Sequence, residues 1–232
     1  MTYHNQQPAT SLSMVLTAVW MIVVSAFCFG ILSRLVNLSF NLDGAVYASL
    51  ARNLAEGVGS IWALKFSDAM FPVFSEHPPL MFWLLSLCFT VFGDSIAVEK
   101  GFSIFTFFIS VLLLWQIWIK LNRDDSLIVK AFPVALFFLL IAGRISWGFA
   151  NGFLENLLTV FSLASIFLMI LAYQNQHHRL TEFRRIALIA LAGMMICLSL
   201  LTKGPVGLFP LATPLIYWIA FRKPNLSIIF FD

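Results

Sequence analysis

The stretch Leu80-Met-Phe-Trp-Leu-Leu-Ser-Leu-Cys-Phe-Thr-Val-Phe92 decides how this chain is laid out. It carries no charge and reads as a helix. At ~1.5 Å per residue it reaches only about 20 Å, short of the ~30 Å hydrocarbon core of a bilayer. Six other apolar runs, at 12–32, 101–119, 127–142, 157–173, 186–201 and 205–221, come near the ~20 residues that cross. If 80–92 stays on one surface, the bases Lys120, Arg123, Lys130, Arg179, Arg184, Arg185, Arg222 and Lys223 gather on one side, the cytoplasmic side by the positive-inside bias. Asp43, Glu76, Lys100, Glu155 and Lys203 then gather on the other. If 80–92 crosses, the basic loops scatter and Lys203 is parted from Asp43. The surface reading satisfies length and charge together. The expected fold is an all-α integral membrane protein with about six transmembrane helices and two short interfacial helices in the first extracytoplasmic loop.

Composition agrees. The chain is 60% hydrophobic and 11% charged, with a mean hydropathy of +0.91, where soluble domains carry about 25% charged residues. Its 25 Phe and seven Trp suit lipid-facing and interfacial positions, and Trp62, Trp83, Trp115, Trp118, Trp147 and Trp218 read as belt residues. A net charge of +3 spread over short loops argues against nucleic acid as a partner. Cys28, Cys88 and Cys197 sit in apolar runs and read as small buried hydrophobes. The run 12–32 is too long for a signal-peptide core, so it reads as a retained span. Residues 1–11 form a cytoplasmic tail, 34–100 an extracytoplasmic loop with the interfacial helices, and 101–221 a helix bundle, all in a single membrane domain over 1–232. The end at Phe231-Asp232 falls as a new apolar run begins, which reads as an incomplete or shortened chain.

Within the outward loop, residues 45–55 lack Gly and Pro and stop before Gly57, and Asp43 stands where a helix cap is useful. Pro78-Pro79 opens the 80–92 helix, as proline tolerates a first turn. The same loop carries the reactive groups. Asp43, just past a span, is a carboxylate that can take a proton from an attacking hydroxyl. Lys203, in Leu201-Thr-Lys-Gly-Pro205, sits where one span ends and the next begins, a place suited to a phosphate as well as to a snorkelling lysine. Glu155 opens the fourth span, with Arg144 close enough in sequence to pair with it. Glu99-Lys100 reads as an interfacial anchor. Proline after His77 holds it in extended geometry. Glu76 and His77 supply ligand types that a divalent metal takes, but two are too few to define a site. His177 and His178 fall in a cytoplasmic loop. No phosphate-binding P-loop, Gly-x-Ser-x-Gly elbow or His-Glu-x-x-His helix is present. A transporter is the rival reading, but it keeps charges inside its helices, whereas here they cluster at one surface.

Taken in order, Asp43-x-x-x-Tyr47-x-x-x-Ala51-Arg52, Glu76-x-Pro78-Pro79-Leu80-x-x-Trp83, Phe92-Gly93 and Leu201-Thr202-Lys203-Gly204-Pro205 resemble the C-type glycosyltransferases. The closest branch is the dolichyl-phosphate-mannose–protein mannosyltransferases and the related lipid A aminoarabinose transferases, whose N-terminal region is matched over about 10–221. The resemblance implies a membrane enzyme that moves a sugar from a polyprenyl-phosphate-linked donor to an acceptor hydroxyl or amine, with inversion. The acceptor it implies is a protein, lipid A or another glycan. The site would lie on the extracytoplasmic face of a bacterial inner membrane. It implies Asp43 as the base, Lys203 with Arg52 or Lys100 on the donor phosphate, and Tyr47, Glu76, His77 and Glu155 in support. No cofactor is required, and Glu76 with His77 leaves a divalent metal open. The chain departs from the family pattern at Gly44, where a second acid is usual, at His77 in place of Lys, and at Lys100 in place of Arg. Members of the family are about twice as long, so the implied alternative is a non-catalytic fragment or subunit of such an enzyme.

Overall fold

The computed structural model describes residues 9–36, 41–174 and 182–221, which are almost entirely helical outside one long connection. Helix α1 (Ala9–Phe27) runs through a π-helical turn at Cys28–Leu32 into α2 (Ser33–Val36). Then come α3 (Leu42–Ala55), α4 (Leu80–Phe92), α5 (Ile96–Leu121), α6 (Ser126–Lys130), α7 (Phe132–Ile141), α8 (Gly143–Ala150), α9 (Leu154–Gln174) and α10 (Glu182–Lys203). A 3-10 segment, Gly204–Ala212, leads into α11 (Thr213–Phe221).

Four helical runs are long and apolar enough to cross a bilayer: Leu12–Val36, Ile96–Leu121, Leu154–Tyr173 and Glu182–Ala220. Phe132–Ile141 with Gly143–Ala150 makes a fifth, bent by 77°. The protein is thus an all-α integral membrane protein, and among the described residues two of the six expected runs take a different form. The difference lies in two places. The run expected at 127–142 is broken into α6 and α7, and its apolar path continues past the bend into α8. The 39-residue run Glu182–Ala220 would be ~58 Å long if straight, but it doubles back. Gly204 adopts φ +69, and a Cβ added at Gly207 would lie 2.4 Å from the Ser199 carbonyl carbon. Tyr217 then stacks on Tyr173 with ring centroids 5.8 Å apart. The two legs match the runs read at 186–201 and 205–221, but the second is half 3-10 helix. Pro205 and Pro210 lack the N–H that an α-ladder needs there.

Helices α3 and α4 form a parallel pair. Tyr47 meets Phe82 at 5.6 Å between ring centroids, Ala48 and Ala51 pack on Leu85 and Phe89, and the Arg52 guanidinium reaches Asp94 at 2.7 Å. Helix α3 begins at Leu42, earlier than the sequence pattern indicates, and ends before Gly57, whose φ is +78. Helix α4 starts and stops as read, behind Pro79. The connection over 56–79 is pinned at its centre, where Asn53 Nδ2 donates to the carbonyls of Lys65 and Phe66, both at 2.8 Å. Trp83 Nε1 donates to the Ile61 carbonyl at 2.6 Å.

Helix α9 is the hub of the bundle. Asn156 donates to Ser103 Oγ on α5 at 3.0 Å, and Ser103 donates to the Phe149 carbonyl at 2.5 Å. Ser165 donates to the Ala192 carbonyl on α10 at 3.1 Å. Such small polar contacts hold helices together where lipid removes the hydrophobic drive for association. Helices α5 and α9 start from the same end, and α10 returns to it. Lys203 therefore arrives beside Glu155, while Arg184 and Arg185 lie at the opposite end of α10. The three cysteines are free; Cys28 and Cys88 are half-buried, and Cys197 is exposed, contrary to its buried reading. His177, His178, Arg179, Arg222, Lys223, Phe231, Asp232 and most of the expected N-terminal tail lie outside the described residues.

Candidate functional site

The end of the bundle where α3, α8, α9 and α10 meet opens into a cavity of about 600 Å³. Asp43 and Tyr47 of α3, His77, Arg144 of α8, Glu155 of α9 and Lys203 of α10 line its polar part. Val111 and Leu114 of α5, Leu139 of α7 and Leu163 of α9 line a mostly apolar shaft that also takes in Ser110 and Thr159; Leu163 lies ~12 Å beyond Glu155 along α9.

Asp43 and Tyr47 are four residues apart, so one face of α3 presents both. The cap of α3 is Asn41, which makes no side-chain capping bond, and Asp43 lies in the first turn. The expected capping role for Asp43 is therefore not the one observed. Its carboxylate is exposed to the cavity and makes no hydrogen bond or ion pair among the described residues. Tyr47 is 8% exposed. Its hydroxyl is pushed up to about 12, chiefly by burial and then by the negative charges of Asp43, Glu155 and Glu76. It stays a neutral hydrogen-bond donor at any physiological pH. The His77 ring sits edge-on to Tyr47 at 5.9 Å and tilts against Phe74 at 6.3 Å. Glu155 occupies the first turn of α9, and Lys203 Nζ forms a close ion pair with its Oε1. Lys203 is 24% exposed in that pair and Glu155 54%.

Two cations expected here are elsewhere. Arg52 is taken by Asp94, in a clip between α3 and the turn before α5. Lys100 is buried, donates to the Ala150 carbonyl at 2.7 Å and lies 3.5 Å from Glu99. Neither lines the cavity. Glu99-Lys100 is no interfacial anchor either, because Glu99 is 2% and Lys100 6% exposed. The reason is tertiary: the turn between α8 and α9 leaves the Ala150 carbonyl without an α-helical partner, and Lys100 satisfies it. Glu76 is exposed and outside the cavity wall, near enough for its charge to act on Tyr47. Arg144 does not pair with Glu155, which Lys203 already holds. Trp147, read as a belt residue, lines the cavity at 40% exposure. Asn156, which the sequence did not single out, is 4% exposed and bridges Ser103 to the Gly148 carbonyl beside the cavity. Among the described residues no group of three or more His, Cys, Asp or Glu is arranged to hold a metal ion, so Glu76 and His77 gain no third ligand.

The family model for dolichyl-phosphate-mannose-protein mannosyltransferase matches residues 76–231, most of the chain. The chain belongs to this family. It is therefore a mannosyltransferase-like membrane glycosyltransferase in kind, and His77, Arg144, Glu155 and Lys203 fall within the matched residues. Asp43, Tyr47 and Arg52 precede them, so the place of Asp43 in the site rests on the cavity geometry. No curated protein and no solved structure matches the chain.

Proposed function

We propose that the cavity transfers a sugar from a polyprenyl-phosphate-linked donor to an acceptor hydroxyl or amine at the extracytoplasmic face of a bacterial inner membrane. One observation carries the reading. A carboxylate without a partner, Asp43, and a lysine at a helix end, Lys203, line one cavity whose remaining wall is mostly apolar and forms the shaft. A soluble sugar donor needs no such shaft, whereas a lipid phosphate needs a polar head site and an apolar path together.

The chemistry follows from those positions. The acceptor oxygen or nitrogen attacks the anomeric carbon as the bond from that carbon to the phosphate oxygen breaks. The electron pair of that bond leaves with the phosphate, and Asp43 takes the acceptor proton. Attack opposite the leaving group inverts the configuration. Charge grows on the departing phosphate, where a fixed cation stabilises the transition state more than the ground state. Lys203 is suited to that task once it exchanges Glu155 for phosphate. Tyr47, neutral up to about 12, supplies a hydroxyl donor beside Asp43.

The test is Asp43→Asn in the full chain, reconstituted in lipid nanodiscs and supplied with a panel of polyprenyl-phosphate sugars. Loss of a general base lowers turnover by ~10²–10⁴. The melting temperature should stay put, because Asp43 is exposed and makes no bond that folding needs. Undiminished turnover, or no transfer by the unmodified chain from any donor in the panel, refutes the proposal. Lys203→Ala should lower turnover at saturating donor, and an undiminished kcat would remove its role on the departing phosphate.

A further inference from the structure

The basic side chains at the cavity end differ in what already holds them. Lys203 is engaged by Glu155. Arg52 is engaged by Asp94. Lys100 is buried on the Ala150 carbonyl. His77 is packed between the rings of Tyr47 and Phe74. Arg144 lines the cavity and has no hydrogen bond or ion pair among the described residues. Resting on the lipid-phosphate reading above, we propose that Arg144 is the anchor of the donor phosphate, with Lys203 as the second cation that joins it during transfer.

The placement of Arg144 suits the task. The 77° bend between α7 and α8 turns the chain across the cavity, so that Leu139 before the bend lines the apolar shaft and Arg144 after it lines the polar end. One short segment therefore offers an apolar contact for a lipid chain and a guanidinium for its head. A guanidinium presents its N–H groups in a planar fork that matches two phosphate oxygens at once, which an ammonium cannot do.

Helix α8 is also held rigidly. Ser146 is 3% exposed and faces the π-helical turn of the first span, where Gly30 leaves room: a Cβ added there would lie 3.6 Å from Ser146 Cβ. At the other end of α8 the Phe149 carbonyl accepts from Ser103 and the Ala150 carbonyl from Lys100. The guanidinium thus sits on a clamped platform, which lowers the ordering entropy lost when a ligand binds. This also explains the use of Lys100: it acts through α8, as a positioning residue.

The experiment measures binding, not turnover. The full chain in nanodiscs is titrated with a long-chain polyprenyl monophosphate, with the polyprenol lacking phosphate, and with a water-soluble sugar 1-phosphate. The unmodified chain should bind the lipid phosphate at least tenfold more tightly than the other two. Arg144→Ala should lower lipid-phosphate affinity roughly 10- to 100-fold, the range of a lost charge-assisted contact, and leave polyprenol binding unchanged. Arg144→Lys, which keeps the charge without the fork, should fall between, and it carries the test if Arg144→Ala does not fold. Binding of the lipid phosphate within twofold of the unmodified chain in both variants overturns the role of Arg144. An unmodified chain that does not distinguish lipid phosphate from polyprenol overturns the lipid-phosphate reading itself. Equally tight, Arg144-dependent binding of the soluble sugar phosphate keeps the anchor and rejects the lipid as its source.

Discussion

Gly152→Ala is the sharpest perturbation of the site that leaves every charged group in place. Gly152 lies in the turn between α8 and α9 with φ +61, and a Cβ there would lie 1.9 Å from Glu99 Oε1 and 3.0 Å from its Cδ. Two penalties follow. A left-handed backbone costs a non-glycine residue ~1–2 kcal/mol. Relief of the overlap needs a shift of more than ~1 Å, because 3.0 Å is already tighter than real Cβ contacts allow. Glu99 cannot swing aside freely, since it is 2% exposed and sits 3.5 Å from Lys100. Overpacking of this kind costs ~1–3 kcal/mol. The sum, about 2–5 kcal/mol, should appear in reversible unfolding of the purified chain in mixed detergent micelles, followed by Trp fluorescence. Glu99→Asp draws the carboxylate back by one methylene. The double variant should therefore recover the overlap penalty and keep the backbone penalty, a coupling of about 1 kcal/mol or more. A Gly152→Ala variant within ~0.5 kcal/mol of the parent, or no recovery in the double variant, refutes the reasoning. So would lost stability without reduced transfer activity, because the same turn sets the start of α9 and with it Glu155.

Two further outcomes separate structural from chemical roles. Lys100→Met leaves Glu99 buried without its cation and the Ala150 carbonyl without its donor, so it should destabilise the fold by ~3–5 kcal/mol in the same unfolding assay; unchanged stability with a raised donor KM would return Lys100 to the phosphate. Tyrosinate absorbance of the parent minus that of Tyr47→Phe should titrate near pH 12 rather than 10, because burial and neighbouring carboxylates oppose the anion. Between those values the unfolded chain loses this proton while the folded chain keeps it, so stability falls as pH rises through the window. A midpoint at or below the ordinary tyrosine value would contradict the burial of Tyr47 among acids.

Some of this was legible in the sequence, for physical reasons. A chain with 11% charged residues confines its charges to a few places, and the length of 80–92 sorted them into two groups. Asp43, Glu155 and Lys203 line one cavity, whereas Glu76 and Lys100, sorted with them, do not. Glu99-Lys100 misled because an adjacent acid and base at a span start look the same whether solvated or buried; only the turn before α9 creates the carbonyl that draws Lys100 inward. Arg52 misled in the same way, since its partner Asp94 comes from beyond α4. The bend that aims Arg144 has no proline at it, only Gly143, and nothing local announces 77°. The 3-10 leg within 205–221 reads as part of an ordinary span, although Gly204-Pro205, Gly207 and Pro210 within one short run argue against a plain α-helix.

The polar contacts between helices bear directly on the chemistry. The apolar faces of α5, α9 and α10 have no preference for one another over lipid, so burial alone fixes no vertical register among them. The register comes from Asn156 on Ser103, Ser103 on the Phe149 carbonyl, and Ser165 on the Ala192 carbonyl. A slip of one helical turn moves a side chain by ~5.4 Å. That is enough to part Lys203 from Glu155 and to lift both from the level of Asp43. The charged groups of the cavity come from separate helices and, apart from that one pair, do not bind one another. Their convergence is therefore a consequence of small neutral side chains deeper in the bundle, which carry no chemistry and set the height at which it occurs.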